Sequence, residues 1–505
     1  MANKIKKIIN DPVHGNIALN EVEIEIIGTR AFQRLRNIKQ LGLESYVFPG
    51  ADYSRFSHSI GVCHLTGQLL NYLRERDIGY DISDDDTKIC RLAGLLHDIG
   101  HYPFSHTMEE AIKQKMEEEK DKKSEDILKK VGTEEPKRKA KDVNEYIKHD
   151  ILGQEILKID TEIKDILNSH GYRPEIISSL FTRDFTGSYA PSDLYYIFAN
   201  IISSDLDVDR IDYLKRTSYF AGLPYGCVDI NYLLSQTSID KNQRICIYPK
   251  AMRTADHFLL SRYFDYAQIT YHKTVAGFEE ILKQVIIWMI NNKQIGCSKK
   301  EILNYVKNGF WYDFDDAYLL NLFREELKKL YKNKQQNCII IEKIQSILNR
   351  NPPIEIGRIE YFGNRKLTDH NQYWIRKDSI SDIIPKLAQI YHIKKDYWFV
   401  WSIDPIELTK IGSSDIDFSI SQKPGTGDKN RQCIRILNDP GLGSSSDSTE
   451  IIKLNNSLMS LLADKALYSI RLYLLIPDNA RVDRKKMKEK ISKTLKELIP
   501  DPYWK

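Results

Sequence analysis

Long apolar runs are missing from this chain, and so are closely paired cysteines and a strong excess of either charge. No stretch approaches the ~18 consecutive apolar residues that a membrane span needs; the apolar run 284–290 falls far short. The seven cysteines, at 63, 90, 227, 246, 297, 338 and 433, include no CxxC pair. An odd, scattered set excludes a disulfide framework and reads as reduced thiols. The opening residues, Met-Ala-Asn-Lys-Ile-Lys-Lys, lack an apolar h-region, so no secretory signal is expected. The expectation is a soluble, cytoplasmic protein. A net charge of +4 over 505 residues argues against a dominant nucleic-acid surface but leaves room for local basic pockets. With 42% hydrophobic and 29% charged residues, the chain is globular and long enough for a large core plus a smaller domain.

What is present is organised mainly as helices. Apolar residues at helical spacing predict helices over 19–36 and 59–76. Ser83, with Asp86 three residues on, resembles a capping box opening a third helix. That helix is apolar on nearly every face (Ile89, Cys90, Leu92, Ala93, Leu95, Leu96), as a core helix is, and it delivers His97-Asp98. Residues 113–148 turn abruptly to Lys and Glu and read as a solvated helical or disordered insertion, with a docking arm for an anionic partner as the sharper alternative. Helical patterns resume at 151–168, 192–216 and 254–292. Alternation predicts strands at 338–342, 355–361, 398–403 and 466–476. Residues 423–450, rich in Gly, Ser, Asp and Pro, predict a flexible loop. The fold class expected is mainly α: a helical bundle over 1–292 and a smaller α+β region over 293–505 that serves regulation or oligomerisation.

Chemistry concentrates in two clusters. The first runs from Arg55-Phe56-Ser57-His58 to His97-Asp98-Ile99-Gly100-His101-Tyr102-Pro103-Phe104-Ser105-His106, and the second is Asp205-Leu206-Asp207-Val208-Asp209-Arg210-Ile211-Asp212-Tyr213. Neutral imidazoles and carboxylates make an N/O site for a divalent first-row metal. His58, His97, Asp98 and Asp209 would supply two nitrogens and two oxygens, leaving positions for water and substrate. Adjacent side chains on a helix point about 100° apart, so His97 and Asp98 converge only near a helix end. Such a set admits Fe, Mn, Zn, Co or Ni, with Mg able to bridge phosphates.

The pattern H…HD…D resembles the HD-domain phosphohydrolases. Longer matches resemble one branch, the deoxynucleoside triphosphate triphosphohydrolases related to the sterile-alpha-motif-and-HD-domain enzyme. These are Ile9-Asn10-Asp11-Pro12-Val13-His14-Gly15, Phe32-Gln33-Arg34-Leu35-Arg36 with Ile38-Lys39-Gln40-Leu41-Gly42, Tyr46-Val47-Phe48-Pro49-Gly50-Ala51, and Tyr271-His272-Lys273-Thr274-Val275. With the two clusters they cover most of 7–280. The resemblance implies a metal on His58, His97, Asp98 and Asp209, and release of inorganic triphosphate from a dNTP. It implies active-site roles for His101, His106 and His149, with Glu109 one helical turn from His106 and suited to hold it protonated. Arg55 and Arg210 are implied to grip phosphates, Tyr213 to pack on the sugar, and Gln40 and Leu41 to lie near the 3′-hydroxyl and base. It also implies a regulatory nucleotide on Lys7, Asn10 and Arg36, a homo-oligomer (dimer or tetramer), and room for a protein partner. No sterile-alpha-motif domain is expected ahead of residue 7.

Two positions depart from the branch. Thr217 stands where it usually has an aspartate at the sugar, which puts sugar recognition in doubt. Gly28 replaces the aspartate that reads guanine at the regulatory site, so control by guanine nucleotides is expected to be absent or altered. Beside the dNTP triphosphohydrolase stand two alternatives: an HD phosphohydrolase or phosphodiesterase acting on another nucleotide or nucleic-acid end, and a non-catalytic nucleotide sensor.

Overall fold

The computed structural model describes residues 6–76, 81–131, 146–185, 193–333, 339–365, 367–403, 405–407, 409, 433–477, 480 and 482–505, with the backbone alone at 121–131, 193 and 367. The chain is mainly helical, with small sheets. Among the described residues no helix is long and apolar enough to cross a membrane.

The first expected helix is broken. Asn20 opens helix Glu21–Gly28 with a full capping box to Glu23, but the helix stops at Thr29. There the hydroxyl donates to the Ile26 carbonyl and accepts from the Phe32 amide, ending one helix and capping the next, Arg30–Gln33. A 3₁₀ turn, Arg34–Asn37, follows. Ahead of these lies a hairpin that periodicity did not suggest, strands Lys7–Asp11 and Gly15–Leu19, whose turn is held by Asp11 Oδ1 accepting from the amides of Val13 and His14. Helix Arg55–Arg74 begins four residues earlier than its apolar pattern, so His58 sits in its first turn. Ser83 and Asp86 form the expected capping box for helix Asp84–Leu96. Helix His106–Val131 runs into the charged insertion, of which 132–145 lie outside the described residues.

The pattern over 192–216 is two helices rather than one. Asp207 accepts from the amides of Ser204 and Arg210, closing off Asp193–Ile202 and starting Val208–Ala221. Likewise 254–292 divides into Met252–Asp265, a π turn Tyr266–Thr270, and Lys273–Asn291. The strand expected at 338–342 is corrected to helix Ile339–Leu348. Its β-branched composition favours strands, but Ile340, Ile341, Ile344 and Ile347 lie at helical spacing and are all buried, and burial of that face overrides propensity.

The other three expected strands form one antiparallel sheet, with Lys465–Leu474 between Ile354–Asn364 and Trp398–Ser402. The flexible loop expected over 423–450 is also corrected where it is described. Residues 433–450 contribute strands Arg435–Leu437 and Ser448–Glu450 to a second sheet, in which Ile436 pairs in parallel with Ile247. Arg435 pins this segment through Glu450, Ser448 and Asp240. The larger apolar cluster runs from Ile17 past residue 292 to take in Trp311, Phe323, Ile347 and Tyr473, while a smaller one lies around the three long strands.

Close backbone contact matters most at Gly100. A Cβ there would lie 2.2 Å from the carbonyl oxygen of His149 and 2.4 Å from the amide nitrogen of Gly153, so the segment after His97-Asp98 lies directly on helix His149–Ile159. Gly100→Ala is expected to cost on the order of 1–3 kcal/mol or more by overpacking, read as a lowered melting temperature.

Candidate metal centre and catalytic cavity

Three breaks in regular structure bring the ligand candidates together: the start of helix Arg55–Arg74, the end of Asp84–Leu96 and the start of Val208–Ala221. Ligand atoms of His58, His97 and Asp209 lie within 4.8 Å of one another. Asp209 Oδ1 is 3.0 Å from His58 Nε2 and 3.8 Å from His97 Nε2. Asp98, the fourth expected ligand, lies beside this set without belonging to it: Oδ1 is 3.3 Å from His97 Nε2, and Oδ2, 3.8 Å from His58 Nε2, accepts from Arg55 Nη1 at 2.5 Å.

Tautomers follow from the partners on the far side of each ring. His58 Nδ1 is 2.7 Å from Asp212 Oδ2, and His97 Nδ1 is 2.8 Å from the Gly94 carbonyl. Both partners only accept, so both Nδ1 atoms carry hydrogen, and each ring, whenever it is neutral, turns an Nε2 lone pair toward the carboxylates. Those two Nε2 atoms are buried without a hydrogen-bond partner. Burial disfavours the imidazolium at His58, yet Asp209 and Asp212 prevail and raise it to about 9. The same excess of negative charge that draws a proton onto Nε2 would hold a divalent cation in the proton's place.

Behind His58 lies a buried charge network. Asp212 accepts from His58, from His14 Nε2 at 2.6 Å, and from Arg216 Nε and Nη2 at 2.8 and 2.9 Å; Arg216 Nη1 also donates to Asp11 at 2.8 Å. Gly61, one turn beyond His58, makes room: a Cβ there would lie 1.9 Å from Asp212 Oδ1.

A cavity of about 400 Å³ opens beside the cluster. His101, His106 and His149 line it, with His101 stacked on His149 at 4.0 Å. Glu109 Oε2 accepts from His149 Nδ1 at 2.8 Å and lies 3.5 Å from His106 Nδ1, so His149 is the better held of the two. Burial opposes ionisation of Glu109, but the two histidines outweigh it and hold the carboxyl far below its usual range. Burial, then Arg55 and His149, push His101 well below the usual imidazole value, so it is neutral near pH 7. The loop between them is strained, with Phe104 and Ser105 both at φ +53. Asp316 holds it by accepting from the Phe104 amide, and Ser105 Oγ accepts from Arg55 Nε.

Arg55 and Arg210 both border the cavity, anchored by Asp98 and by Asp205 respectively. Gln40, Leu41 and Tyr213 line it too. Thr217 is fully buried, does not line the cavity, and bonds Tyr53 Oη at 2.7 Å. Lys7 and Asn10 are exposed on the first strand of the hairpin, and Gly28 is exposed at the end of its helix. Arg36 is exposed in the 3₁₀ turn, over the Phe56 ring and donating to Gln33.

Several groups at the site were not singled out from sequence. Arg262 lines the cavity with Nε and Nη1 buried and unpartnered, and Glu44, Asp265 and Glu279 also border it. Asp212 and Arg216 sit three and seven residues after Asp209 on one helix; that spacing was the available signal for the network.

Removing His58 or Asp209 as Ala is expected to abolish stoichiometric uptake of a divalent ion, measured by elemental analysis. Asp212→Asn is expected to weaken metal binding by about 10–100-fold while leaving all the candidate ligands present, measured by chelator competition.

Residues 55–216 match the HD domain model. The uncharacterized protein YwfO of Bacillus subtilis is 29% identical over 284 residues, 56% of this chain and 55% of its own length. The deoxynucleoside triphosphate triphosphohydrolase SAMHD1 homolog of Dictyostelium discoideum is 32% identical over 281 residues, 55% of this chain and 48% of its own. The chain thus spans about half the length of these curated relatives. Its fold is similar to that of a hypothetical protein from Aquifex aeolicus, with a TM-score of 0.62 at 21% identity over 97% of this chain and 99% of that one. HD domains bind divalent metals, and the His58, His97 and Asp209 cluster fits one. Residues 55–216 thus match an HD domain, and about half of the chain is similar to a protein named as a deoxynucleoside triphosphate triphosphohydrolase homolog.

Proposed function

We propose that this protein is a metal-dependent hydrolase that converts deoxynucleoside triphosphates to deoxynucleoside and inorganic triphosphate. The observation that carries the reading is the pair of buried, unpartnered Nε2 atoms of His58 and His97 facing Asp98 and Asp209, at the wall of a cavity rich in arginine and histidine. A divalent ion (Fe, Mn, Zn, Co or Ni) held by His58, His97, Asp98 and Asp209 would supply Lewis acidity toward a phosphoryl oxygen and toward water, and Mg suits the phosphates.

The chain's own groups fit the remaining tasks. Guanidinium forks of Arg55 and Arg210, each fixed by a carboxylate, present donors to phosphate oxygens without reorganising. Arg262 brings two more donors that the protein leaves unpartnered. Attack of water at the α-phosphorus breaks the bond to the 5′-oxygen, which must take up a proton. His106 and His149, flanking Glu109, are the groups to give it, and His149 is oriented by its Nδ1 bond. Tyr213, Gln40 and Leu41 are assigned to the sugar and base. Lys7, Asn10 and Arg36 are assigned to a regulatory nucleotide, in an oligomer whose C-terminal region, 293–505, carries assembly contacts, and the setting is assigned as cytoplasmic.

A second reading, hydrolysis of another nucleotide by the same centre, is favoured by Thr217, whose hydroxyl is committed to Tyr53. Product identity separates the two. Each dNTP incubated with divalent ion should give deoxynucleoside and tripolyphosphate by mass spectrometry. Orthophosphate or mononucleotide would favour the second reading, and no tripolyphosphate from any nucleotide with any metal would remove the first. His149→Ala is expected to lower kcat by about 10²–10⁴-fold with KM little changed.

A further inference from the structure

Phosphate handling leaves part of the cavity unexplained. Glu44, Asp265 and Glu279 line it together with Gln40, Tyr213 and Tyr266, so acidic groups share one chamber with three arginines. Glu44 is 3% exposed, and its Oε2 has no hydrogen-bond partner; Gln40 Oε1, four residues earlier, is likewise buried and unpartnered. Gly42 lies between them in sequence at φ +54, where a Cβ would come within 3.7 Å of Glu44 Oε2. Burial first, then Glu279, raises the Glu44 carboxyl above its usual range, and burial with Glu110 pushes Glu279 up to about 8.

A buried acceptor with no donor is costly, and because Glu44 and Gln40 line the cavity, a molecule that enters it can supply the missing donors. A second cation is disfavoured: among the described residues, neither Glu44 nor Glu279 belongs to any three-residue group with converging ligand atoms. A molecule that is anionic at one end and rich in N–H donors at the other matches both the arginines and the acids.

We propose that Glu44 reads the base of the nucleotide and selects guanine, accepting from the ring N–H and the exocyclic amine. This inference rests on the cavity being a nucleotide site. Guanine alone among the four bases offers two adjacent donors on that edge. Adenine and cytosine set one donor beside an acceptor, and thymine sets its N–H between two carbonyls, whose lone pairs would face those of the carboxylate. Two N–H bonds also favour the ionised carboxyl that burial opposes.

The test is equilibrium binding, to the full-chain, metal-loaded protein, of analogues of dGTP, dITP and dTTP in which a methylene group replaces the 5′-oxygen, so that the bond broken in the proposed reaction becomes an uncleavable P–C bond. The dGTP analogue should bind on the order of tenfold or more tighter than the dTTP analogue, with the dITP analogue between them because it lacks the exocyclic amine. Glu44→Gln should largely erase the dGTP-to-dTTP ratio, with folding checked by its melting curve. Equal affinities in the unmodified protein overturn the proposal, as does a ratio that survives in Glu44→Gln. If that variant does not fold, the dGTP, dITP and dTTP series on the unmodified protein decides alone. The outcome is independent of the hydrolase reading. Tripolyphosphate from all dNTPs with equal analogue affinities sinks only the base assignment; selective binding without tripolyphosphate sinks only the hydrolase.

Discussion

His58 gives its Nδ1 hydrogen to Asp212, and much of the centre depends on that bond. The same carboxylate holds His14 and Arg216, and Arg216 reaches on to Asp11, so the N-terminal hairpin, the helix carrying His58 and the helix carrying Asp209 are tied at one buried point. Breaking one member would leave uncompensated charge in the core, which is far more costly than losing an exposed ion pair. The network therefore holds the His58 ring, with Nε2 toward Asp209, in a single orientation. Gly61 is the packing counterpart, since any side chain there would displace Asp212.

Around this point the chain uses interruptions of helices rather than their interiors. His97 stands at the C-terminal cap of Asp84–Leu96, Asp209 in the first turn after the Asp207 cap, and His58 one turn into its helix. Helix ends let side chains from different directions converge, which a continuous helix does not. The strained Phe104–Ser105 turn extends the device, because it is held by Asp316, more than two hundred residues along the chain. Segments past residue 292 thus buttress the cavity directly: Arg34 donates both to the His101 carbonyl and to that of Phe314.

The electrostatics of the cavity are divided. Arg55 and Arg210 are neutralised by neighbouring carboxylates and act as preset donors, whereas Arg262, Gln40 and Glu44 keep buried polar atoms without protein partners. Such unsatisfied atoms are few in a folded core, and at the wall of a cavity a ligand is one way to complete their bonding. Glu109 between His106 and His149 belongs to the first kind, a group already satisfied and positioned.

Ligand types, the capping box at Ser83 and the mainly helical character were legible in the sequence because each depends on local chemistry or period. The His–Asp motifs named the metal candidates, since few residue types offer the required donors. Tertiary packing decided the rest. The isoleucine run after 338 became a helix by burying one face, and part of the Gly/Ser-rich segment near 440 became strands because Ile247 offers a pairing edge and Arg435 a buried charge partner. Arg262, Glu44, Asp265 and Glu279 carry no local signal of their place, because only folding brings helices Met252–Asp265 and Lys273–Asn291 to the loop after Gln40. The sequence by itself determined which side chains can bind a cation and gave their order along the chain. Which of them meet, which tautomer they adopt and which acids share their cavity were settled by long-range packing, because those properties depend on distances that no sequence separation encodes.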